Sequence, residues 1–239
     1  MRLDQYITEK LQISKNKAQN LIKTGNIKVN LKTVLKPGFF VNYADKIDIS
    51  KAEELNYVAR SALKLKGFLA ENFLDLENKI CLDVGASTGG FCQILLEKNI
   101  GKIFAVDVGT SQLHSILKEN KKIISIENTD IRKLQKIENI DFITCDVSFI
   151  NLEKILESII FQMSDKTKVL LLFKPQFQVG KGFIDKKGVV KDKNIIEKKL
   201  GEFLKFCGEK GLQILKVENS KLAGENGNQE IFILLQKRI

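Results

Sequence analysis

The stretch I-C-L-D-V-G-A-S-T-G-G-F, residues 80–91, decides the fold class of this chain. A short apolar run ends at Asp83, and a loop containing three glycines follows it. Glycine allows a tight turn and lets a ligand approach the backbone, and the start of the next helix offers unpaired N–H groups. The stretch therefore predicts a buried strand that leads through a ligand-binding loop into a helix.

The spacing of the glycines excludes two common nucleotide loops. No Lys-Ser or Lys-Thr follows the last glycine, so the stretch is not a phosphate loop, and it lacks the strict G-x-G-x-x-G fingerprint. The spacing D-x-G-x-x-x-G-G suits a cofactor without a pyrophosphate, such as S-adenosylmethionine. Taken alone, the stretch leaves open a plain strand–turn–helix that binds nothing.

Beyond Arg60, short apolar runs alternate with amphipathic segments, which predicts an α/β fold with a mostly parallel, doubly wound sheet. The first helix should cover residues 60–74, with Ala62, Leu65, Leu69 and Phe73 facing inward. The predicted strands are 79–82, 102–106, 141–145, 168–173, 214–217 and 231–235, and the further helices are 90–98, 112–119, 151–163 and 194–210.

Several of these apolar runs stop at a charged residue: Asp83, Asp107, Asp146 and Lys174. Ligands of open parallel sheets bind outside the carboxyl ends of the strands, so these groups should line one cleft. A carboxylate after the second strand, Asp107, can accept the ribose hydroxyls of an adenosine. Burying the Lys174 ammonium is costly unless it is paired, and the alternative is that it reaches solvent.

The last apolar run begins after Glu230. If that strand is antiparallel to its neighbours, Glu230 lies at the same sheet edge and faces Asp146 and Lys174. Lys64, on the helix before the first strand, can complete the group. The expected cofactor-binding residues are Asp83, Gly85, Ala86, Ser87, Gly89, Gly90, Phe91, Asp107, Asp130 and Asp146.

The first 50 residues carry nine Lys/Arg against four Asp/Glu, which is half of the chain's net charge of +10. Ser14 is a candidate N-cap for a helix that buries Ala18, Leu21 and Ile22. A basic helical module favours a polyanionic partner such as nucleic acid, although a lysine-rich surface or a helical cap on the larger domain is an alternative. The expected RNA-binding residues are Arg2, Lys15, Lys17, Lys23, Lys28 and Arg60.

Composition narrows the class of protein further. The sequence has no apolar run near the roughly 20 residues that span a bilayer and no secretory signal pattern, so we expect a cytoplasmic protein. Its four cysteines form no C-x-x-C pair, which favours reduced, buried thiols. The single histidine, His114, cannot build a histidine metal site, and we expect no metal.

Two sets of motifs resemble known families. R-L-D-Q-Y-I at residues 2–7 and S-K-N-K-A-Q-N-L-I-K-T-G-N-I-K-V-N at residues 14–30 resemble the alpha-L RNA-binding motif. A-R-S-A-L-K-L (59–65), D-V-G-A-S-T-G-G-F (83–91), C-D-V-S-F-I (145–150), K-P-Q-F-Q-V-G-K (174–181), G-V-V (188–190) and G-N-Q-E (227–230) resemble the TlyA family. The order of these motifs along the chain strengthens the resemblance.

The resemblance implies an RNA-binding domain over residues 1–50, a linker over 51–59, and an FtsJ/RrmJ-like, Rossmann-like class I methyltransferase domain over 60–239. It implies methyl transfer from S-adenosyl-L-methionine to a ribose 2′-hydroxyl, of cytidine in 23S rRNA and secondarily 16S rRNA. The partner would be ribosomal RNA or a ribosomal subunit, and a monomer is favoured. The family's catalytic tetrad falls on Lys64, Asp146, Lys174 and Glu230.

Three other functions stay open at this point. The TlyA family is also labelled haemolysin, which would mean a pore-forming role, but the sequence has no long amphipathic strands or membrane-length segment. A non-catalytic RNA-binding protein could keep the fold without the chemistry. A base or protein methyltransferase is a third alternative, although the sequence has no N/D-P-P-Y-type motif.

Overall fold

The computed structural model describes residues 1–50, 53–224 and 226–238, and the chain divides into two compact units, Met1–Ala59 and Arg60–Ile239. Lys51 and Ala52, which belong to the predicted linker, lie outside the described residues. None of the described helices is both long enough and apolar enough to cross a membrane.

The first unit packs two helices, α1 (Leu3–Leu11) and α2 (Lys15–Lys23), with a small antiparallel sheet. Its strands are β1 (Ile27–Val29), β2 (Lys32–Thr33) and β3 (Ile47–Ile49), in the order β2-β1-β3, and a 3-10 helix covers Glu53–Asn56. The Ser14 hydroxyl accepts the Lys17 N–H at 3.3 Å, so the predicted N-cap is confirmed. The fully buried core includes Leu3, Ile7, Ala18, Leu21, Ile22 and Ile27.

The second unit is built on a seven-stranded sheet with the order β6-β5-β4-β7-β8-β10-β9. The pairs between β6, β5, β4, β7 and β8 are parallel, and β10 is antiparallel to both β8 and β9. The strands are β4 (Ile80–Val84), β5 (Lys102–Val106), β6 (Ile123–Ile126), β7 (Phe142–Cys145), β8 (Lys168–Phe173), β9 (Leu212–Asn219) and β10 (Ile231–Lys237).

Helices connect these strands, as the alternating pattern predicted. They are α3 (Ser61–Glu71), α4 (Gly90–Glu97), α5 (Ser115–Lys118), α6 (Glu153–Gln162), α7 (Pro175–Gln178) and α8 (Lys193–Glu209), with short 3-10 helices at Ile131–Lys133 and Lys181–Phe183. The interior strands are buried on both faces, which is why their sequences are almost continuously apolar. All four cysteines are buried, as expected from the apolar runs around them.

Three local predictions were wrong. Helix α3 ends at Glu71 because Asn72 adopts an extended backbone, and Phe73 is consequently 92% exposed instead of facing inward. The helix expected over 112–119 is only the single turn Ser115–Lys118. Strand β6 was missed, since its four residues carry a weak local signal and it forms through pairing with β5.

The register of the sheet brings the charged strand ends together. Val84 pairs with both Val106 and Cys145, and Cys145 pairs with Leu171, so these strands end at one edge. On the other side of β8, Phe173 pairs with Ile231 of the antiparallel β10. The residues that follow or precede these positions at this edge are Asp107, Asp146, Lys174 and Glu230.

Candidate active site

Two nearly buried ion pairs lie at this edge of the sheet. The Lys174 ammonium is 2.6 Å from an Asp146 carboxylate oxygen, and the Lys64 ammonium is 2.6 Å from a Glu230 carboxylate oxygen. The exposed fraction of these four side chains is 12% or less. Charges that are removed from water in this way need partners, and each lysine has a carboxylate. The structure thus pairs the four residues that the sequence motifs predicted as a tetrad.

The backbone around Lys174 explains how its side chain reaches this position. Strand β8 ends at Phe173, and Pro175 is the first residue of α7, which disfavours a helical conformation at Lys174. Lys174 is accordingly extended, with φ −108° and ψ 104°. Its ammonium also donates a hydrogen bond to the Ser148 hydroxyl at 3.0 Å. The alternative that Lys174 simply reaches solvent is therefore wrong.

Sequence reasoning missed Ser148 as a contact of Lys174. Ser148 lies inside the C-D-V-S-F-I motif, two residues after Asp146, so the motif itself held the signal. Together, the Asp146 carboxylate and the Ser148 hydroxyl hold the Lys174 ammonium from two directions. A cation fixed in this way can stabilise negative charge that develops on a bound oxygen without reorganising first.

The glycine loop lies against the backbone of Asp146. Gly85 has φ +81°, and a Cβ at this position would lie 2.6 Å from the Asp146 carbonyl oxygen, so only glycine fits without a shift. The N–H groups of Gly85 and Ala86 both donate to the Val106 carbonyl at the end of β5. The loop is thus joined to two strand ends of the sheet.

Asp107 holds the middle of the same loop. One of its carboxylate oxygens accepts the Ser87 N–H at 2.8 Å, and the other accepts the Gly109 N–H at 2.7 Å. Ser87 is exposed, and Asp107 is half-buried. Both side chains therefore keep accessible surface at the edge where the cofactor was expected.

Asp83 departs from the prediction of a carboxylate that lines the cleft. Its side chain has no exposed surface, and its two oxygens accept hydrogen bonds from the Thr144 hydroxyl at 2.7 Å and the Cys92 thiol at 3.1 Å. Burial raises the pKa of Asp83 to about 6, partly offset by these two donors, and the charges of Asp146 and Asp107 add to the rise. Asp83 lies beneath the loop.

Phe91 and Asp130, which were both predicted to bind the cofactor, make contacts within the protein. The Phe91 ring is buried, with its centroid 6.3 Å from that of Phe232 in the core. Asp130 caps the 3-10 helix that begins at Ile131 and pairs with the Arg132 guanidinium at 2.5 Å. The hydrogen bond from this guanidinium lowers the pKa of Asp130 to about 2. Gly89 and Gly90 are buried at the start of α4.

Some of the predicted RNA-binding residues are engaged within the protein, and others are exposed. The Lys17 ammonium donates to the backbone carbonyls of Leu55 and Tyr57, at 3.2 and 2.7 Å, instead of pointing freely to solvent. Arg2 pairs with the buried Asp4 carboxylate while 47% of its own side chain stays exposed. The remaining predicted contacts in this unit, which are exposed, are Lys15, Lys23 and Lys28; Arg60 precedes α3 in the second unit and is half-buried.

A comparison with protein families identifies the domain that carries this loop and these ion pairs. Residues 57–237 match the FtsJ-like methyltransferase family, and residues 1–47 match the S4 domain. The chain belongs to the FtsJ-like methyltransferase family. Because the first match covers most of the chain, the α/β methyltransferase fold predicted from the sequence is confirmed.

Individual relatives identify the branch of this family. A Campylobacter jejuni protein named 23S rRNA (cytidine-2′-O)-methyltransferase TlyA is 43% identical, covering 97% of this chain and 98% of the relative. A Mycobacterium tuberculosis protein named 16S/23S rRNA (cytidine-2′-O)-methyltransferase TlyA is 31% identical, covering 93% and 84%. The TlyA-family membership that the motifs predicted is confirmed.

A solved structure gives the same result for the fold. A protein from Streptococcus thermophilus that carries a hemolysin name has a TM-score of 0.78 and 31% identity, covering 100% of this chain and 88% of its own. The hemolysin name therefore accompanies the same TlyA-family fold and does not indicate a separate architecture.

Proposed function

We propose that this TlyA-family protein transfers a methyl group from S-adenosylmethionine to the ribose 2′-hydroxyl of a cytidine in 23S rRNA, with 16S rRNA as a second substrate. The observation that carries the proposal is the Lys174 ammonium, fixed by Asp146 and Ser148 beside the Lys64–Glu230 pair. The names of two relatives, which specify cytidine-2′-O-methylation, support the choice of substrate.

The residues at the glycine loop fit S-adenosylmethionine. Gly85 leaves the loop without a side chain where it meets Asp146, and Ser87 and Asp107 keep accessible polar surface next to it. Asp107 follows β5, which lies beside β4 in the sheet. A carboxylate at this strand end can accept the hydroxyls of a bound ribose. When bound, S-adenosylmethionine supplies an electrophilic methyl group on a sulfonium centre.

Lys174 is the residue that we assign to the acceptor oxygen. A ribose hydroxyl is a weak nucleophile. As its oxygen forms the new bond to the methyl carbon, the carbon–sulfur bond of the sulfonium would break, and the hydroxyl proton would pass to solvent water. A fixed ammonium orients this hydroxyl and stabilises the negative charge that develops on the oxygen. Asp146 and Ser148 set the direction of the ammonium, while Lys64 and Glu230 complete the local charge balance.

The first unit supplies the binding surface for RNA in this proposal. Exposed lysines on and after α2, namely Lys15, Lys23 and Lys28, can neutralise phosphates, and the match to the S4 domain supports this role. Arg60 and Arg2 are assigned to the same substrate. A ribosomal substrate would place the protein in the cytoplasm, and we expect it to act as a monomer.

The test measures methyl incorporation into ribosomal subunits. Purified protein is incubated with unmethylated 50S or 30S subunits and tritiated S-adenosylmethionine, and mass spectrometry of the rRNA locates any 2′-O-methylcytidine. We expect incorporation into 50S subunits. Absence of ribose methylation, or methylation on a base or a protein, would contradict the proposal.

Lys174→Ala is the sharpest variant for the same assay. We expect loss of methyl transfer by 10²-fold or more, the order expected when a group that acts in proton transfer or orientation is removed. The affinity for S-adenosylmethionine, measured by calorimetry, should not change, because Lys174 takes part in none of the hydrogen bonds that hold the glycine loop. Lys199→Ala, which removes a half-buried lysine paired with Glu202 on α8, is the matched control and should retain activity.

A further inference from the structure

A buried side-chain amide connects the G-N-Q-E and G-V-V motifs, and it is not part of the tetrad. Asn228, in G-N-Q-E, is only 3% exposed, and its side-chain oxygen accepts the Val190 N–H at 2.9 Å. Its side-chain nitrogen donates to the Gly188 carbonyl at 2.8 Å. Asn228 thus satisfies one N–H and one carbonyl of the G-V-V motif, 38 to 40 residues earlier in the chain.

The same residue is bonded to the turn on which the Glu230 carboxylate packs. The Asn228 carbonyl accepts the Gly224 N–H at 2.8 Å. A Cβ at Gly224 would lie 2.7 Å from a Glu230 carboxylate oxygen, so the bare α-carbon of Gly224 forms one wall around that carboxylate. The other carboxylate oxygen of Glu230 is the one that pairs with Lys64.

The segment that Asn228 holds is basic and exposed. Lys181, Lys186 and Lys187 are exposed around the G-V-V motif. The Asp185 carboxylate accepts the N–H groups of Lys187 and Val189, which gives this segment a defined turn. Asn228 therefore connects a lysine-rich turn to the wall of the Glu230 site.

We propose that Asn228 is a positioning residue for methyl transfer. Its side chain anchors the segment that leads into Glu230 to the turn at 188–190, its backbone carbonyl bonds Gly224, and together these bonds fix the Glu230 carboxylate and its partner Lys64. The proposal rests on the proposed function. Asn228 is not a member of the tetrad: in the bonds described above it touches none of the tetrad side chains and acts through the backbone segments that it joins.

A buried amide can also act only on stability, and Gln162 provides the matched comparison. Gln162 is 1% exposed, its side-chain oxygen accepts the Ile137 N–H at 2.9 Å, and its side-chain nitrogen donates to the Gln135 carbonyl at 3.1 Å. It lies at the end of α6, before the start of β8, away from the edge with the tetrad. Truncating either amide removes similar bonds, but only Asn228 lies next to the site.

The experiment compares the full chain with Asn228→Ala, Asn228→Asp and Gln162→Ala, using unmethylated 50S subunits and tritiated S-adenosylmethionine. For Asn228→Ala we expect kcat to fall on the order of 10- to 100-fold, with KM for S-adenosylmethionine unchanged, because small misplacements of catalytic groups cost this much. Asn228→Asp keeps the acceptor for Val190 and should lose less. Gln162→Ala should lower Tm as much as Asn228→Ala while its kcat stays near that of the unmodified chain.

A second variant affects the same carboxylate while it leaves the Asn228 side chain unchanged. Gly224→Ala places a methyl group against the Glu230 carboxylate and should lower kcat in the same way, again with KM for S-adenosylmethionine unchanged. Equal kcat for Asn228→Ala and Gln162→Ala, or an unaffected Gly224→Ala, would overturn the positioning role. An unmodified chain that methylates no ribose would instead overturn the proposed function, and the positioning role with it.

Discussion

Among the residues that the structure describes, each compact unit fully buries one carboxylate, and the two carboxylates have opposite kinds of partner. Asp4 in the first unit accepts hydrogen bonds from the Arg2 guanidinium, the Gln19 amide and the Gln5 N–H. Asp83 in the second unit accepts hydrogen bonds from the Thr144 hydroxyl and the Cys92 thiol, and no cation among the described residues pairs with it. Both carboxylates have 0% exposure.

Because the two carboxylates have different partners, their pKa values shift in opposite directions. The guanidinium of Arg2 holds the pKa of Asp4 well below its ordinary value of 3.8, whereas burial without a cation raises the pKa of Asp83 to about 6. Asp4 therefore stabilises its unit in the charged form, and Asp83 destabilises its unit when it is charged. The comparison indicates that Asp4 is a structural anchor, while the sheet tolerates a costly group directly under the glycine loop.

The largest expected effect is that of Asp4→Ala. The variant loses the hydrogen bonds that a charged acceptor makes to three residues, and we expect a loss of ~3 kcal/mol in the stability of the first unit. Half of the Arg2 side chain is exposed, so its charge stays solvated and the loss should not grow much further. Hydrogen exchange of the full chain, resolved by residue, measures the effect.

The distribution of hydrogen-exchange protection along the chain tests whether Asp4 stabilises only the first unit. Protection should fall for α1 and α2 and stay unchanged in the seven-stranded sheet, since the two units have separate cores. The Asp4 contribution is present above pH 4 and is lost as the pH falls below it, because the folded pKa lies below the unfolded one. A loss of protection between pH 6 and 4 in the first unit would contradict this sign.

The next effect in size comes from Asp83→Asn. In the unmodified chain the carboxylate is protonated below pH 4, and as the pH rises from about 4 to about 6 the folded state loses up to ~3 kcal/mol relative to the unfolded state. The neutral amide removes this loss. We expect the variant to be about 2 kcal/mol more stable at pH 7, because its amide group still has to fit between Thr144 and Cys92.

Thermal unfolding at pH 4, 5, 6, 7 and 8 measures this prediction. The difference in Tm between Asp83→Asn and the unmodified chain should grow from pH 4 to pH 7 and then stay constant. Asp75→Asn, at an exposed carboxylate, is the control and should show no such trend. If Asp83→Asn is less stable than the unmodified chain by the same amount at every pH, the charge of Asp83 does not destabilise the folded state.

The two carboxylates also show what the sequence could and could not predict. The β4–loop–α4 unit was predictable because glycine spacing and apolar runs are local signals, and register rules then placed Asp146, Lys174 and Glu230 at one edge. The enclosure of Asp83 was not predictable, because its donor Thr144 lies 61 residues away. Ser148 and Asn228 stood inside quoted motifs, but their partners follow only from the packed turns.

The smallest expected effect is that of Thr144→Val, which removes the hydroxyl donor to Asp83 and keeps the shape of the side chain. One hydrogen bond to a buried carboxylate is lost, so we expect ~1 kcal/mol of destabilisation at pH 7. The pKa of Asp83 should rise above its value of about 6, because this hydroxyl is the first of the two donors that lower it. The pH range over which stability declines should then extend upward.

Combining Thr144→Val with Asp83→Asn separates the hydrogen bond from packing. If the hydroxyl acts through the carboxylate charge, the cost of Thr144→Val at pH 7 is smaller in the Asp83→Asn background, and the two changes are not additive. The cost in the unmodified background should also shrink at pH 4, where Asp83 is protonated. A cost that is independent of both pH and background would assign the role of Thr144 to its contact with the Cys81 sulfur, and the contrast with Asp4 would then rest on burial alone.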